Sequence, residues 1–228
     1  MPQHALIVAG RGRYEDPWHD HAATSHRIAL LLADQGLSTT VRGMFPDAVD
    51  DLESFDLFIV NAGQGRRDPD FDGDDRDWAP VHERIKTYAD HGGAMLVVHQ
   101  AISAFQDSAH WKGIVGGRWV RGVTWHPPIG EATFHVRRHA HPITHDLDDI
   151  EVLDERYTLL DTDSRVVVLA TQTETRVEHP VAWVNTTGGR RVVYDSLGHD
   201  VTALESCGRR ALLLREVRWL LDHAPSDT

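Results

Sequence analysis

Gly92-Gly93-Ala94-Met95-Leu96-Val97-Val98-His99 is the stretch on which the fold turns. Two glycines halt what precedes them, five residues without a polar break follow, and a histidine closes the run. An unbroken apolar run of this length is the pattern of a strand buried on both faces, as in the interior of a parallel sheet. Just upstream, residues 78–91 carry Val81, Ile85 and Tyr88 on one stripe, the spacing of an amphipathic helix that Gly92 can terminate. Helix, glycine pair, buried strand and terminal histidine form half of a βαβ unit with a polar group at the strand's carboxyl end.

The same rhythm extends towards the amino terminus. Residues 5–9 and 57–60 are apolar runs of the same kind, and between them Ile28, Leu31 and Leu32 have helical spacing that ends at Gly36, where glycine can adopt the left-handed C-terminal conformation. Beyond Gly116-Gly117 the rhythm changes: residues 132–136, 150–159, 166–171 and 181–184 are strand-like without long helices between them, which predicts an antiparallel extension or a second small sheet. Residues 191–194 return to the buried pattern, and a last helix carries Leu213, Val217, Leu220 and Leu221 on one face. The expected fold is α/β, an open and mostly parallel sheet flanked by helices, with an antiparallel strand extension. Residues 1–224 are expected to form one domain and 225–228 to fray. The acidic, turn-rich residues 66–77 read as a surface loop, and no internal repeat is visible.

Composition narrows the function. A chain of 228 residues with 41% hydrophobic content can build a sizeable core. Its formal net charge of -12 opposes the counterion release on which nucleic-acid affinity depends, and no basic run offsets it, so nucleic acid is not expected as a partner. No apolar stretch approaches the roughly 20 residues of a spanning helix, so no membrane is expected either. The opening run 5–9 is too short, and lacks the charged flank, for a signal peptide. The single cysteine, Cys207, cannot form an internal disulfide and fits a reducing cytoplasm. It reads as a small packing residue near the start of the last helix.

Ligands of open α/β sheets bind at the carboxyl ends of the strands, so the residues directly after each buried run are the candidates. The first run leads to Gly10-Arg11-Gly12 and on to Trp18-His19-Asp20-His21, the second to Asn61-Ala62-Gly63-Gln64, the third to His99-Gln100, and the last to Gly198-His199-Asp200. The chain holds 16 histidines, so several would fall at strand ends by chance. His4, His82, His91, His110 and His223 are assigned to the surface, and His141-Pro142 to a turn rather than to a metal site with His139 and His145. The turn at Gly10 lacks the full dinucleotide glycine pattern, and no nucleotide is expected.

Around His99 the motifs resemble, in order, those of the ThuA-like (trehalose-utilisation) family. Gly116-Gly117-Arg118-Trp119 followed by His126 resembles its glycine-aromatic-histidine stretch, and Asp154-Glu155-Arg156-Tyr157 its Asp-Glu-x-Tyr segment. His179-Pro180-Val181-Ala182-Trp183, Gly189 through Tyr194, and Leu197-Gly198-His199 resemble its closing run, so the likeness covers nearly the whole chain. The match is loosest between Arg11 and His21. The resemblance implies the fold of class I glutamine amidotransferases, with its flavodoxin-like architecture, and a link to sugar metabolism. In amidotransferases a nucleophilic cysteine occupies the strained turn after the central strand, whereas here that position is His99, so glutamine hydrolysis is not expected.

Two chemistries suit the remaining residues. His99, His126 and His199 with a carboxylate could hold a divalent metal, zinc above others, to polarise a carbonyl or acidify a water. Without a metal, His199 and Glu155 could act as base and acid on a sugar. Asp154 and Glu155 are neighbours, and in an extended segment only one can face the site; Asp200 is the nearest second carboxylate by motif. His99, His199, Glu155 and Asp154 are thus the catalytic candidates, and His19, Gln64, Gln100, Trp125 and His126 the substrate-binding ones. Tyr157 reads as core with a bonded hydroxyl. The expected activity is hydrolysis, isomerisation or elimination on a sugar or oxidised (keto) sugar. A non-catalytic sugar-binding domain is the competing class, and a homodimer through the later strands is the expected assembly.

Overall fold

The structure, a computed structural model, describes residues 2–222. The expected fraying of 225–228 and the placement of His223 lie outside the described residues. The amino-terminal half runs β1 (His4–Ala9), α1 (His21–Ala33), β2 (Ser38–Gly43), β3 (Leu57–Asn61), α2 (Pro69–Asp72), α3 (Asp75–Asp90) and β4 (Ala94–Val98). Then come α4 (Trp111–Val115), β5 (Gly117–Arg118), β6 (Gly130–Val136), β7 (Ile150–Asp154) and β8 (Asp161–Thr162). β9 (Val167–Glu174), β10 (Val177–Asn185), β11 (Arg191–Asp195) and α5 (Cys207–Asp222) are the last of the described elements.

Nine strands form one sheet in the order β2-β1-β3-β4-β11-β10-β9-β6-β7, and β5 pairs with β8 in a separate ribbon. The first five in that order are parallel and the others join antiparallel, so the predicted extension and the small second sheet are both present. Alternation along each central strand divides the core. Ala5 and Ile7 face Ile28 and Leu32 of α1 and Leu212, Leu213 and Leu220 of α5. Leu6 and Val8 face Trp78, Val81 and Ile85 of α3 and Trp111 and Ile114 of α4. Because β1, β3, β4 and β11 are parallel, their carboxyl ends emerge along one edge, which is what brings four separated loops together.

Three sequence expectations change. β2 escapes the apolar pattern because it is an edge strand with partly exposed polar residues. The strand expected over 150–159 stops at Asp154, whose carboxylate accepts from the backbone N–H of Glu155, Gly198 and His199 and so turns the chain out of the sheet. Residues 66–77 are not a free loop: they hold α2 and the start of α3, and the buried Arg13 guanidinium binds Asp72, Asp75 and the Gly73 carbonyl. Smaller corrections concern side chains. His82 is largely buried against the Tyr14 hydroxyl at 2.8 Å, where burial lowers its pKa, and Cys207 is exposed rather than packed.

Asp195, Arg209 and Glu216 are fully buried between β11 and α5. Arg209 Nη1 lies 2.8 Å from Asp195 Oδ2 and balances one carboxylate. Burial and the Asp195 charge hold the Glu216 pKa well above its ordinary 4.5, so it keeps its proton. A proton held in the folded state and lost in the unfolded chain adds stability that is full below the unfolded pKa and is lost as pH rises towards the folded one. Glu216→Gln is therefore expected to gain in melting temperature relative to wild type as pH rises from about 5 to 8, within the window set by that raised pKa. Calorimetry at both ends of the range checks this, and a constant difference would show that Glu216 is ionised.

Candidate metal centre and substrate cavity

His99 follows β4 with a φ of +52°, a left-handed conformation that a side chain adopts at a cost of roughly 1–3 kcal/mol. The surroundings hold it there. The Tyr194 hydroxyl donates to the His99 carbonyl at 3.1 Å, and His99 Nδ1 donates to the Ser196 carbonyl at 2.6 Å. Since a carbonyl only accepts, Nδ1 carries the hydrogen and Nε2 presents its lone pair to the cavity. Tyr157 Oη stands 3.0 Å from that nitrogen, so the hydroxyl is bonded as expected. Burial is the main influence on His99 and lowers its pKa to about 4, which keeps the ring neutral.

Glu155 is the hub. One oxygen lies 3.4 Å from His99 Nε2 and 3.9 Å from His19 Nε2, the other 3.3 Å from His199 Nδ1 and 3.5 Å from His126 Nδ1. Burial opposes its charge, yet the surrounding imidazoles hold its pKa far below the ordinary carboxylate range. Asp154 points the other way and anchors the 198–199 loop, and burial raises its pKa to about 6. The expectation that only one of the pair faces the site is met by Glu155; Asp154 does not reach the cavity. Asp200 likewise turns away and caps the Ala203 N–H.

His19 arrives from the loop after β1, and its placement depends on Asp16. Asp16 Oδ1 accepts from the backbone N–H of Trp18 and His19, and from His19 Nδ1 at 2.7 Å, which turns His19 Nε2 towards His99, 3.0 Å away. Burial would lower the His19 pKa, but Asp16 and Glu155 together raise it to about 9. His21, the first residue of α1, brings Nε2 to 3.6 Å from Asp16 Oδ2. Gly63 makes this closeness feasible: a Cβ there would lie 2.5 Å from Asp16 Oδ2.

One ligand atom from each of His19, His99, Glu155 and His199 lies within 4.8 Å of the others, and this buried cluster could hold a metal. Asp16, His19 and His21 form an overlapping group. Glu155 Oε2 and His199 Nδ1 are buried without a hydrogen-bond partner. His126 was expected among the ligands but stands outside the four. It comes from an exposed loop, its Nδ1 faces the Pro127 carbonyl at 3.0 Å, and it touches Glu155 from the solvent side. His19 takes its place. Above the cluster opens a cavity of about 650 Å³, lined by His19, Glu155, Tyr157 and His199 at its base. Gln64, Gln100 and His126, three of the substrate-binding candidates, also line it. Trp125 does not: it is 42% exposed and pairs through its backbone with Thr158, while Trp18 and Trp119 supply the aromatic wall. Asp16 was missed, its one trace in the sequence being an acidic residue three positions before His19.

A mixed sheet with a parallel core and an antiparallel extension, flanked by helices, is the fold of the class I glutamine amidotransferase-like proteins. The ThuA family model, described as trehalose utilisation, matches residues 5–220, and the chain belongs to that family. Among solved structures it is similar to a ThuA-like protein of Parabacteroides merdae, with a TM-score of 0.79 and 17% identity over 97% of this chain and 90% of that one. A glutamine amidotransferase of Thermotoga maritima superposes with a TM-score of 0.60 at 11% identity, covering 97% of this chain and 99% of that one. A β-galactosidase of Rahnella sp. R3 carries the same fold in 31% of its length, with a TM-score of 0.64 at 14% identity over 97% of this chain. No curated protein matches the chain. Among the described residues no helix is long and apolar enough to cross a membrane.

Two replacements separate the supporting residues. Asp16→Asn removes the charge behind His19 and should weaken divalent-metal binding about 10- to 100-fold in a chelator competition, with the fold intact. Asp154→Ala strands three backbone N–H groups and should cost roughly 2 kcal/mol or more in urea unfolding. A stability loss below about 0.5 kcal/mol would show that water replaces the carboxylate there.

Proposed function

We propose that this ThuA-family chain is a metal-assisted enzyme acting on a sugar or an oxidised (keto) sugar. The observation that carries the proposal is the convergence of His19, His99, Glu155 and His199, of which His19, Glu155 and His199 line an open cavity and His99 lies buried behind them. Four ligands around an ion at bond lengths of about 2.0–2.1 Å stand roughly 3.3–3.4 Å apart when tetrahedral. Four of the contacts in the cluster, counting both Glu155 oxygens, run from 3.0 to 3.9 Å, and with one ligand atom per residue all four atoms lie within 4.8 Å of one another, so modest side-chain movement would close them on an ion. Charge points the same way, because Asp16 and Glu155 bring two buried negative charges beside neutral or singly protonated imidazoles, and a divalent cation offsets both.

Imidazole and carboxylate together suit zinc, and such an ion would polarise a sugar carbonyl or hydroxyl or acidify a bound water. The protein's own residues supply the rest. Asp16 holds the His19 tautomer, the Ser196 carbonyl holds that of His99, and Asp154 fixes the loop bearing His199. Tyr157 and His126 border the cavity and can bond or exchange a proton with substrate oxygens. Trp18, 75% exposed at the mouth, and Trp119 offer flat faces to the apolar side of a sugar ring, with Gln64 and Gln100 for its hydroxyls. A metal-free scheme with Glu155 as general acid is disfavoured, since an acid needs a raised pKa and the imidazoles lower it.

Metal analysis by mass spectrometry on tag-free protein tests the proposal. Near-stoichiometric zinc or another divalent ion is expected in wild type and should fall below about a tenth in His99→Ala, together with turnover in a screen of glycosides and keto-glycosides. Protein that stays metal-free after reconstitution, or sugar binding without turnover in the loaded protein, would favour a binding domain instead.

A further inference from the structure

A second cavity of about 490 Å³ opens beside the first, and Trp119 lines both. Its chemistry is different. Lys112, Arg118 and Arg121 line it and no acidic residue does, in a chain where acidic residues outnumber Lys and Arg by 35 to 23. Three cations around one hollow are therefore against the trend of the whole molecule.

The cations are arranged rather than cancelled. Asp161, across the β5–β8 ribbon from Arg118, accepts from Lys112 Nζ at 2.8 Å and Arg118 Nε at 2.9 Å through the same oxygen. That single carboxylate draws two cations side by side and leaves both Nη groups of Arg118 and the remaining ammonium hydrogens without an acceptor among the described residues. Arg121 has no hydrogen-bond or ion-pair partner among the described residues. Of the three lining cations, Lys112 and Arg118 thus share one hydrogen-bonded carboxylate and Arg121 has none.

The backbone sets this arrangement through Gly116-Gly117. Gly116 has a φ of +80°, and a Cβ on Gly117 would come within 2.6 Å of Trp183 Cζ2, so the ribbon sits directly against the core. Arg118 and Trp119 follow at once. The Trp119 ring meets Tyr157 edge-on at 5.0 Å, and Tyr157 in turn touches His99. A continuous path thus runs from the histidine cluster, past Tyr157 and Trp119, to Arg118.

We propose that the second cavity binds an oxyanion, phosphate or carboxylate, carried by the substrate whose sugar ring occupies the first, so that the enzyme selects anionic over neutral sugars. The assignment rests on reading the first cavity as a sugar site. Unbonded guanidinium N–H groups match either oxyanion in a forked geometry, and partial exposure lets the group arrive with the sugar rather than alone.

Calorimetric titration of the metal-loaded full chain at low ionic strength, with glucose, glucose 6-phosphate, glucuronate and inorganic phosphate, is the test. At least one anionic sugar should bind about tenfold or more tightly than glucose, the tighter of the two showing which oxyanion fits. An Arg118→Gln/Arg121→Gln double variant should bring it down to the glucose level with metal content and circular dichroism unchanged. Equal affinity for neutral and anionic sugars, or a preference that survives in the double variant, overturns the proposal. Inorganic phosphate bound by wild type and lost in the double variant, with no sugar bound by either, supports the anion site and counts instead against the sugar reading of the first cavity.

Discussion

The hydrogen bond from His99 Nδ1 to the Ser196 carbonyl joins the tips of the two central parallel strands, and the geometry of the site follows from it. It decides which nitrogen of His99 carries the hydrogen, and so which one is offered to Glu155 and Tyr157. It also opposes the backbone strain of a histidine at positive φ, since ring and peptide carbonyl are each held by a neighbour from the β11 segment. Ser196 is itself fixed, its N–H donating to the Val181 carbonyl of β10. A flexible acceptor would let the ring turn, and the cluster would lose its shared focus.

Each of the other members has a support of its own behind it. Asp16 stands behind His19 and Asp154 behind the His199 loop, and the Arg209–Asp195 pair lies beneath, with Arg209 donating to the Leu197 carbonyl and Asp195 accepting from the Leu197 N–H. Buried carboxylates thus act in two ways. Asp154 spends its acceptor capacity on backbone N–H groups and shapes a loop, whereas Glu155, one residue later, is left with histidines alone. The alternating direction of an extended chain separates the two tasks.

Much of the fold was legible because burial on both faces writes itself as unbroken apolar runs, and β1, β3, β4 and β11 all carry one. β2 was not, because an edge strand need not be apolar. The run from 150 to 159 looked continuous, but a strand can end on a side-chain bond made 44 residues away in sequence, between Asp154 and Gly198, and periodicity contains no trace of that. The site shows the same division. Strand-end position singled out His19, His99 and His199, and the Asp154–Glu155 pair suggested that one carboxylate would join them. The preference for His126 over His19 as a ligand went astray because motif order says nothing about how far a loop reaches inward. Asp16 acts by standing behind another residue, a role that needs three dimensions to be seen.

β11 is the last strand among the described residues, yet it lies in the middle of the sheet, between β4 and β10. Until residues 191–195 have left the ribosome, the parallel and antiparallel halves each present an open edge to the other, and neither Ser196 nor His199 is available. Synthesis therefore passes through a stage in which ten of the eleven strands exist but the cluster of His19, His99, Glu155 and His199 does not. That strand acts as a keystone, and a product truncated before it would carry two adhesive edges and no histidine-glutamate cluster.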